Sequence, residues 1–398
     1  MKNKINTRCA CPKIAWLSPP CYNGPAVKKI SALTLVLTDR CNFSCPYCPQ
    51  HKGNKSLRFE DIRTFLEFLR PRLAADAWLG FYGGEPLLRW PLVEKTVAYA
   101  EKMFAGRFRY TLTTNGSLLK REQVLFLRKF HFALVLSYDG LAQAKRDPGS
   151  IAAVEKALGE LRELYPDGYT VNSVFTARTV PLLAASMKGL LKQGHERIQY
   201  GLDMSSPWRG AQLGVLKEQL SRLASPCLRY RERTGNMPLE NFKDNGKRGV
   251  FACFAGRDRL ALLPDRSVWG CYLFYDLLGH DPQNPDYAKY CYGRLEDFVS
   301  LPAKTRAAVT AKYAELRQDY FFSDRKELCG LCDDLEQCAV CPAAAALASG
   351  ALAVLPAWVC QARKICRGAM SRFSGAASRF HGMASRLNRA TPRGRKGC

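Results

Sequence analysis

Strand-like and helix-like segments alternate six times between residues 33 and 202, and this alternation constrains the fold more than any other feature of the chain. Leu33–Thr38 (LTLVLT) is a buried-strand pattern. Phe59–Leu69 has helical spacing, with Ile62, Phe65, Leu66 and Leu69 on one side. Trp78–Tyr82, Tyr110–Thr114, Ala133–Tyr138, Val171–Thr176 and Arg197–Leu202 read as five further strands. Pro91–Phe104, Lys120–Lys129, Ile151–Leu164 and Leu182–Gln193 read as the helices between them. Six βα units predict an α/β fold with a parallel sheet, open or curled into a partial (β/α)6 TIM-like barrel. In such folds chemistry sits at the C-terminal ends of the strands.

Five segments follow from the pattern. Residues 1–30 are irregular and Pro-rich, residues 31–225 form the core domain, and 226–252 read as a linker. Residues 253–366 are paced by cysteines rather than by apolar periodicity, so a small domain there would need metal to stay folded. Residues 367–398 form a basic low-complexity tail.

The chain has 17 cysteines and a formal charge of +25. Its N-terminus lacks the apolar core and cleavage site of a signal peptide, and its apolar runs are too short for a bilayer span. A cytoplasmic protein is expected, and its thiols point to metal ligands rather than a disulfide framework. About 10 Lys or Arg and no acidic residue lie from Gln361 onward, where Ser-Arg-Phe recurs at Ser371 and Ser378. That tail reads as a solvated segment, or as a contact for an acidic partner. No RNA-binding aromatic signature accompanies the charge, so nucleic acid is not an expected partner.

After the first strand comes Cys41-Asn42-Phe43-Ser44-Cys45-Pro46-Tyr47-Cys48, spaced C-x3-C-x2-C. Three thiolates on one loop can hold three corners of a [4Fe–4S] cluster and leave the fourth iron open to a ligand. Zinc is the alternative, although zinc sites of this kind supply four ligands in paired C-x2-C form.

With an aromatic residue before its last Cys, this motif resembles the radical S-adenosylmethionine (radical SAM) superfamily. Three more segments agree in order. Gly83-Gly84-Glu85-Pro86 follows strand two like the family's GGEP, Thr114-Asn115-Gly116 follows strand three, and Ser137-Tyr138-Asp139-Gly140 ends strand four like its SxDG. The resemblance implies Cys41, Cys45 and Cys48 as ligands of a SAM-binding [4Fe–4S] cluster. It implies Gly83, Gly84, Glu85, Asn115 and Ser137 as the SAM-binding residues, with Arg146 as a candidate for the SAM carboxylate. A reductant such as flavodoxin or ferredoxin would supply the electron that cleaves SAM to a 5′-deoxyadenosyl radical.

The C-terminal cysteines resemble the SPASM domain of radical SAM enzymes that modify peptides and proteins. Cys253 and Cys271 flank Leu263-Pro264-Asp265-Arg266, with Arg266 where the family usually has Gly. Cys329, Cys332 and Cys338 fit its next run, Cys341 falls one residue early, and Cys360 is the last of the set. The resemblance implies one or two auxiliary [4Fe–4S] clusters. Cys329, Cys332, Cys338 and Cys360 would hold one, and Cys253, Cys271 and Cys341 the other. The fourth ligand of the latter would be Cys227 or Cys291, or it would be absent, since Lys247 stands where fuller relatives have Cys. The spacing C-x2-C-x5-C-x2-C also admits zinc. Cys9, Cys11, Cys21, Cys366 and Cys398 are left as free thiols.

The expected function is therefore a peptide maturase: hydrogen abstraction from a peptide or protein substrate. One alternative is an anaerobic sulfatase maturase, in which an Asp directly follows the second SPASM Cys; here Tyr272 stands there. The other is a non-catalytic iron–sulfur carrier or scaffold, which would have no need of GGEP. Some 30 residues precede strand one, too few for a winged-helix leader-recognition domain, so a separate recognition protein or direct capture of the peptide is expected.

Overall fold

A computed structural model describes residues 29–243, 253–319, 340–352 and 354–371, with the single positions 329, 332, 333, 335 and 338. Six parallel strands lie in sequence order: β1 (Ile30–Val36), β2 (Leu73–Tyr82), β3 (Phe108–Thr114), β4 (Ala133–Ser137), β5 (Tyr169–Phe175) and β6 (Ile198–Leu202). The helices α1 (Phe59–Leu69), α2 (Trp90–Phe104), α3 (Arg121–Lys129), α4 (Gln143–Arg146), α5 (Ile151–Leu164) and α6 (Leu183–Lys192) connect them. The expected Ile62, Phe65, Leu66 and Leu69 form the buried face of α1. The sheet stays open, with β6 at one edge, so the fold is a partial (β/α)6 barrel.

Register places the motifs. Val36 pairs with Tyr82, Phe81 with Leu112, Thr114 with Leu136, Ser137 with Asn172 and Phe175 with Leu202. Parallel strands in this register end on one rim. The segments after Val36, Tyr82, Thr114 and Ser137 therefore leave the sheet side by side.

Helix α7 (Gly210–Thr234) runs straight across residue 226, where the sequence suggested a linker, with Pro226 inside it. The chain then re-enters the same sheet. Strand β7 (Arg259–Leu262) pairs in parallel with β1, from Ala32↔Arg259 to Leu35↔Leu262. Strands β8 (Ser267–Trp269) and β9 (Cys291–Arg294) follow antiparallel. Helices α8 (Tyr272–Leu278), α9 (Tyr287–Tyr290), α10 (Leu295–Ser300), α11 (Ala303–Asp319) and α12 (Pro342–Ser349) complete the named elements, and a helical stretch covers 357–371. Trp269, Phe274 and Phe298 are fully or almost fully buried in the same apolar core as the barrel strands. The cysteine-paced region is thus not held by thiols alone. The repeated Ser-Arg-Phe units lie at and beyond residue 371, mostly outside the described residues, as do Cys9, Cys11, Cys21 and Cys398.

Arg266 joins the two regions. Its guanidinium meets Asp61 of α1 at 2.9 Å and Glu296 of α10 at 2.6 Å, while Phe298 packs on Phe65 and Phe68. Its φ is +69°, in the left-handed region where glycine is at ease. The resemblance placed glycine there; this chain instead carries the strain and spends the side chain on two carboxylates, one of them buried. Arg266→Ala keeps the strain and loses both ion pairs, so it is expected to destabilise by about 2–4 kcal/mol. Arg266→Gly removes the strain as well and should cost about 1 kcal/mol less. Urea unfolding of the two variants reads the difference; equal losses would mean the backbone strain is negligible.

Candidate active site at the strand ends

The three-cysteine loop is closed at its base before any ligand is added. Thr38 Oγ1 donates to Lys55 O at 3.1 Å and shares a 2.8 Å hydrogen bond with Ser56, and Asp39 N donates to Lys55 O. Between these ends Cys48 N donates to Cys45 O at 3.1 Å, and Lys52 Nζ donates to Phe43 O and to Ser44 Oγ. Burial pushes the Cys41 and Cys48 thiols up, and the nearby Lys52 ammonium opposes the shift. A metal held by these two thiols would have to displace their protons.

Gly83 and Gly84 bring the end of β2 against this loop. Both have positive φ, +94° and +40°. A Cβ on Gly84 would stand 2.0 Å from the carbonyl oxygen of Arg40, and Glu85 N donates to that same oxygen at 2.9 Å. Only glycine permits this approach.

Glu85 is fully buried and does not line the cavity. Its carboxylate accepts from Leu87 N at 3.0 Å, from Thr114 Oγ1 at 2.6 Å and from Asn115 N at 2.8 Å. Burial raises its pKa and these donors oppose the rise. Glu85 therefore ties the GGEP turn to the TNG turn rather than presenting itself to a ligand. Asn115 continues the chain of bonds. Its Nδ2 donates to Asn42 Oδ1 of the cysteine loop at 2.9 Å, and its Oδ1 accepts from Ser117 N and Oγ.

On the far side, Asp139 is buried beneath the loop. It accepts from Tyr47 Oη at 2.5 Å and from Val174 N at 2.8 Å, and Arg146 Nη1 lies 3.7 Å from its Oδ1. The sequence reading missed Asn42, Tyr47 and Asp139 as site residues, although each lies inside a motif it had recognised.

These walls enclose a cavity of about 310 Å³. Cys41, Cys45, Cys48, Gly83, Gly84, Asn115, Ser137 and Arg146 all line it. So do Leu273 of α8 and Ala344 and Leu347 of α12, which makes the C-terminal region part of the wall. The Arg146 Nε–H is buried without an acceptor among the described atoms. Three thiols, a glycine cradle and an unspent buried donor around one cavity fit a cluster with a polar ligand beside it.

The C-terminal thiols fall into two neighbourhoods. Cys271 is pushed far up by burial first, then by the proximity of Cys253 and Cys341. Cys338 is pushed up to about 11 by burial, with Cys360 and Cys329 adding and Arg363 opposing. Cys332 N donates to Cys329 O, which sets Cys332 on the same turn. Cys227 instead is buried in the core on α7, and Cys291 bonds within β9 and to Tyr287. Burial pushes the Cys366 thiol up, and the neighbouring Tyr200 hydroxyl opposes the rise. Among the described residues no three His, Cys, Asp or Glu are gathered as ligands of a single metal ion.

A three-cysteine loop lies over a glycine cradle at the rim of a partial barrel, inside the stretch that a family model matches. Residues 35–178 match the radical SAM superfamily, and this stretch is a radical SAM domain. The protein MJ0907 of Methanocaldococcus jannaschii is 26% identical over 208 residues, half of this chain and 71% of that protein. The radical SAM cyclopropyl synthase TigE of Paramaledivibacter caminithermalis is 23% identical over 137 residues, 30% of this chain and 29% of TigE. A GTP 3′,8-cyclase of Paracoccus denitrificans is 39% identical over 102 residues, 24% of this chain and 29% of the cyclase. The latter two matches cover less than a third of each relative. Among solved structures, anSMEcpe with bound AdoMet superposes with a TM-score of 0.67 at 18% identity, over 87% of this chain and 95% of that one. That likeness establishes a shared fold. No helix among the described residues is long and apolar enough to cross a membrane.

Proposed function

We propose that this radical SAM enzyme abstracts hydrogen from a peptide or protein, using one SAM-binding cluster and auxiliary clusters in its C-terminal region. The observation that carries the proposal is the shared cavity wall: α8 and α12, from the cysteine-rich region, close the same space that the cysteine loop and Gly83–Gly84 open. A similar fold has been solved as anSMEcpe with AdoMet and the Cp18Cys peptide bound.

Cys41, Cys45 and Cys48 would hold the SAM-site cluster. Gly83, Gly84 and Ser137 would face SAM, with Glu85 and Asn115 fixing the turns behind them. When bound, the cluster and SAM supply a 5′-deoxyadenosyl radical that takes a hydrogen atom from substrate. The chain's own contribution is orientation and exclusion of water by Phe43, Leu273 and Leu347. Cys253, Cys271 and Cys341 would serve one auxiliary cluster, and Cys329, Cys332, Cys338 and Cys360 the other. Anaerobic reconstitution is then expected to give about 10 to 12 iron atoms per chain. About 4 iron with zinc in the remainder would mean a zinc-bound C-terminal region instead.

The sulfatase-maturase reading would need a carboxylate at position 272. Tyr272 stands there, packed in a tilted ring contact on the cavity residue Tyr82 with centroids 4.2 Å apart. The nearest carboxylate along this helix is Asp276, one turn later and outside the cavity lining.

A deuterated substrate tests the substrate class. With a deuterated peptide, 5′-deoxyadenosine should gain deuterium by mass spectrometry. Label arriving only from deuterated GTP, and never from a peptide, would overturn the peptide reading.

A further inference from the structure

We propose that Arg146 sets the reduction potential of the cluster on the Cys41–Cys48 loop, with Asp139 as its opposing charge. The inference rests on the radical SAM reading above and extends it to two residues outside the cysteine ligands.

Arg146 ends α4, and its side chain is only 8% exposed. The guanidinium lies 6.0 Å from the centre of the Phe43 ring of the cysteine loop, and Arg146 lines the same cavity as Cys45. Its Nη1 is 3.7 Å from Asp139 Oδ1, and Asp139 is 1% exposed. Burial pushes the Asp139 carboxyl up, and the guanidinium, the Tyr47 hydroxyl and Val174 N, the last two donating to it, oppose that rise. The Arg146 charge therefore stands in the same cavity wall as Cys45, and the Asp139 carboxyl that it pairs with stands behind it. Both are shielded from water, where charges interact far more strongly than at the surface.

Adding an electron to the cluster makes it more negative. A cation close to the cluster ligands stabilises that reduced form and raises the potential. The buried carboxylate works against it. A purely structural staple between α4 and the loop would need Arg146 and Asp139 equally, and removing either would have the same kind of effect. An electrostatic role gives the two removals opposite signs.

The test is an EPR-monitored redox titration of the reconstituted holoenzyme, following the signal that changes when SAM is added, with iron content measured in parallel. Arg146→Gln is expected to lower the midpoint so that the reduced fraction falls about tenfold at fixed poise, which is about 59 mV for a one-electron couple. Arg146→Lys, which keeps the charge, should shift it less. Asp139→Asn should raise it. An unchanged midpoint in Arg146→Gln, or shifts of the same sign in Arg146→Gln and Asp139→Asn, would overturn the proposal. If Arg146→Gln fails to hold iron, Asp139→Asn decides alone: a raised midpoint supports the proposal, an unchanged or lowered one ends it. A wild-type protein with no SAM-responsive signal would overturn the radical SAM reading instead.

Discussion

Replacing Cys41, Cys45 and Cys48 together with Ala is expected to abolish 5′-deoxyadenosine formation while leaving iron in the C-terminal region. The three side chains line one cavity and share one loop. That loop is closed by Thr38, Ser56 and Lys55 without their thiols, so the fold should survive their loss. The C-terminal thiols form separate neighbourhoods, Cys253 with Cys271 and Cys341, and Cys329 with Cys338 and Cys360. Cleavage should fall to background, a loss of several orders of magnitude for a reaction that depends on one cofactor. Iron should fall by about 4 atoms per chain. Loss of all iron would mean that the clusters are not independent.

Gly84→Ala should be almost as damaging, for a different reason. The added methyl would sit 2.0 Å from the Arg40 carbonyl, and the backbone at φ +40° disfavours any side chain. Neither partner is a flexible side chain that could swing away. Relief requires the β2 end to retreat from the cysteine loop, which breaks the 2.9 Å bond from Glu85 N to Arg40 O. Glu85 would then pull on Thr114 and Asn115. A destabilisation of at least about 3 kcal/mol is expected, with SAM affinity lost before global unfolding. Equilibrium dialysis of SAM against the anaerobic variant, alongside thermal unfolding, measures both. Wild-type affinity in Gly84→Ala would show that the close approach is dispensable.

The barrel was legible because its elements are long and strongly patterned. Phe59–Leu69 and Ile151–Leu164 fall where the apolar spacing put them. Strands β7, β8 and β9 were not, because three or four residues are too few for a period of two to emerge. Their membership in the barrel sheet is a long-range pairing that local sequence does not encode. Helix α7 crosses the boundary expected at residue 226, since Pro226 and a polar composition weaken its pattern. At the site, motif spelling located Gly83, Gly84, Asn115 and Ser137 at the cavity. It could not separate residues that face the cavity from those that brace it: Glu85, read as a SAM contact, lies behind the wall, and Asp139, which braces it beside Arg146, was not singled out. Arg266 shows the converse, a departure from the family pattern whose consequence appears only when its φ and its two carboxylate partners are seen together.

The most direct test of the central claim is the fate of SAM itself. Reconstituted wild-type protein, kept anaerobic with dithionite and SAM, should release 5′-deoxyadenosine and methionine in equal amounts, measured by mass spectrometry. SAM that remains intact, with the cluster on Cys41, Cys45 and Cys48 verified by its iron content, would contradict the account.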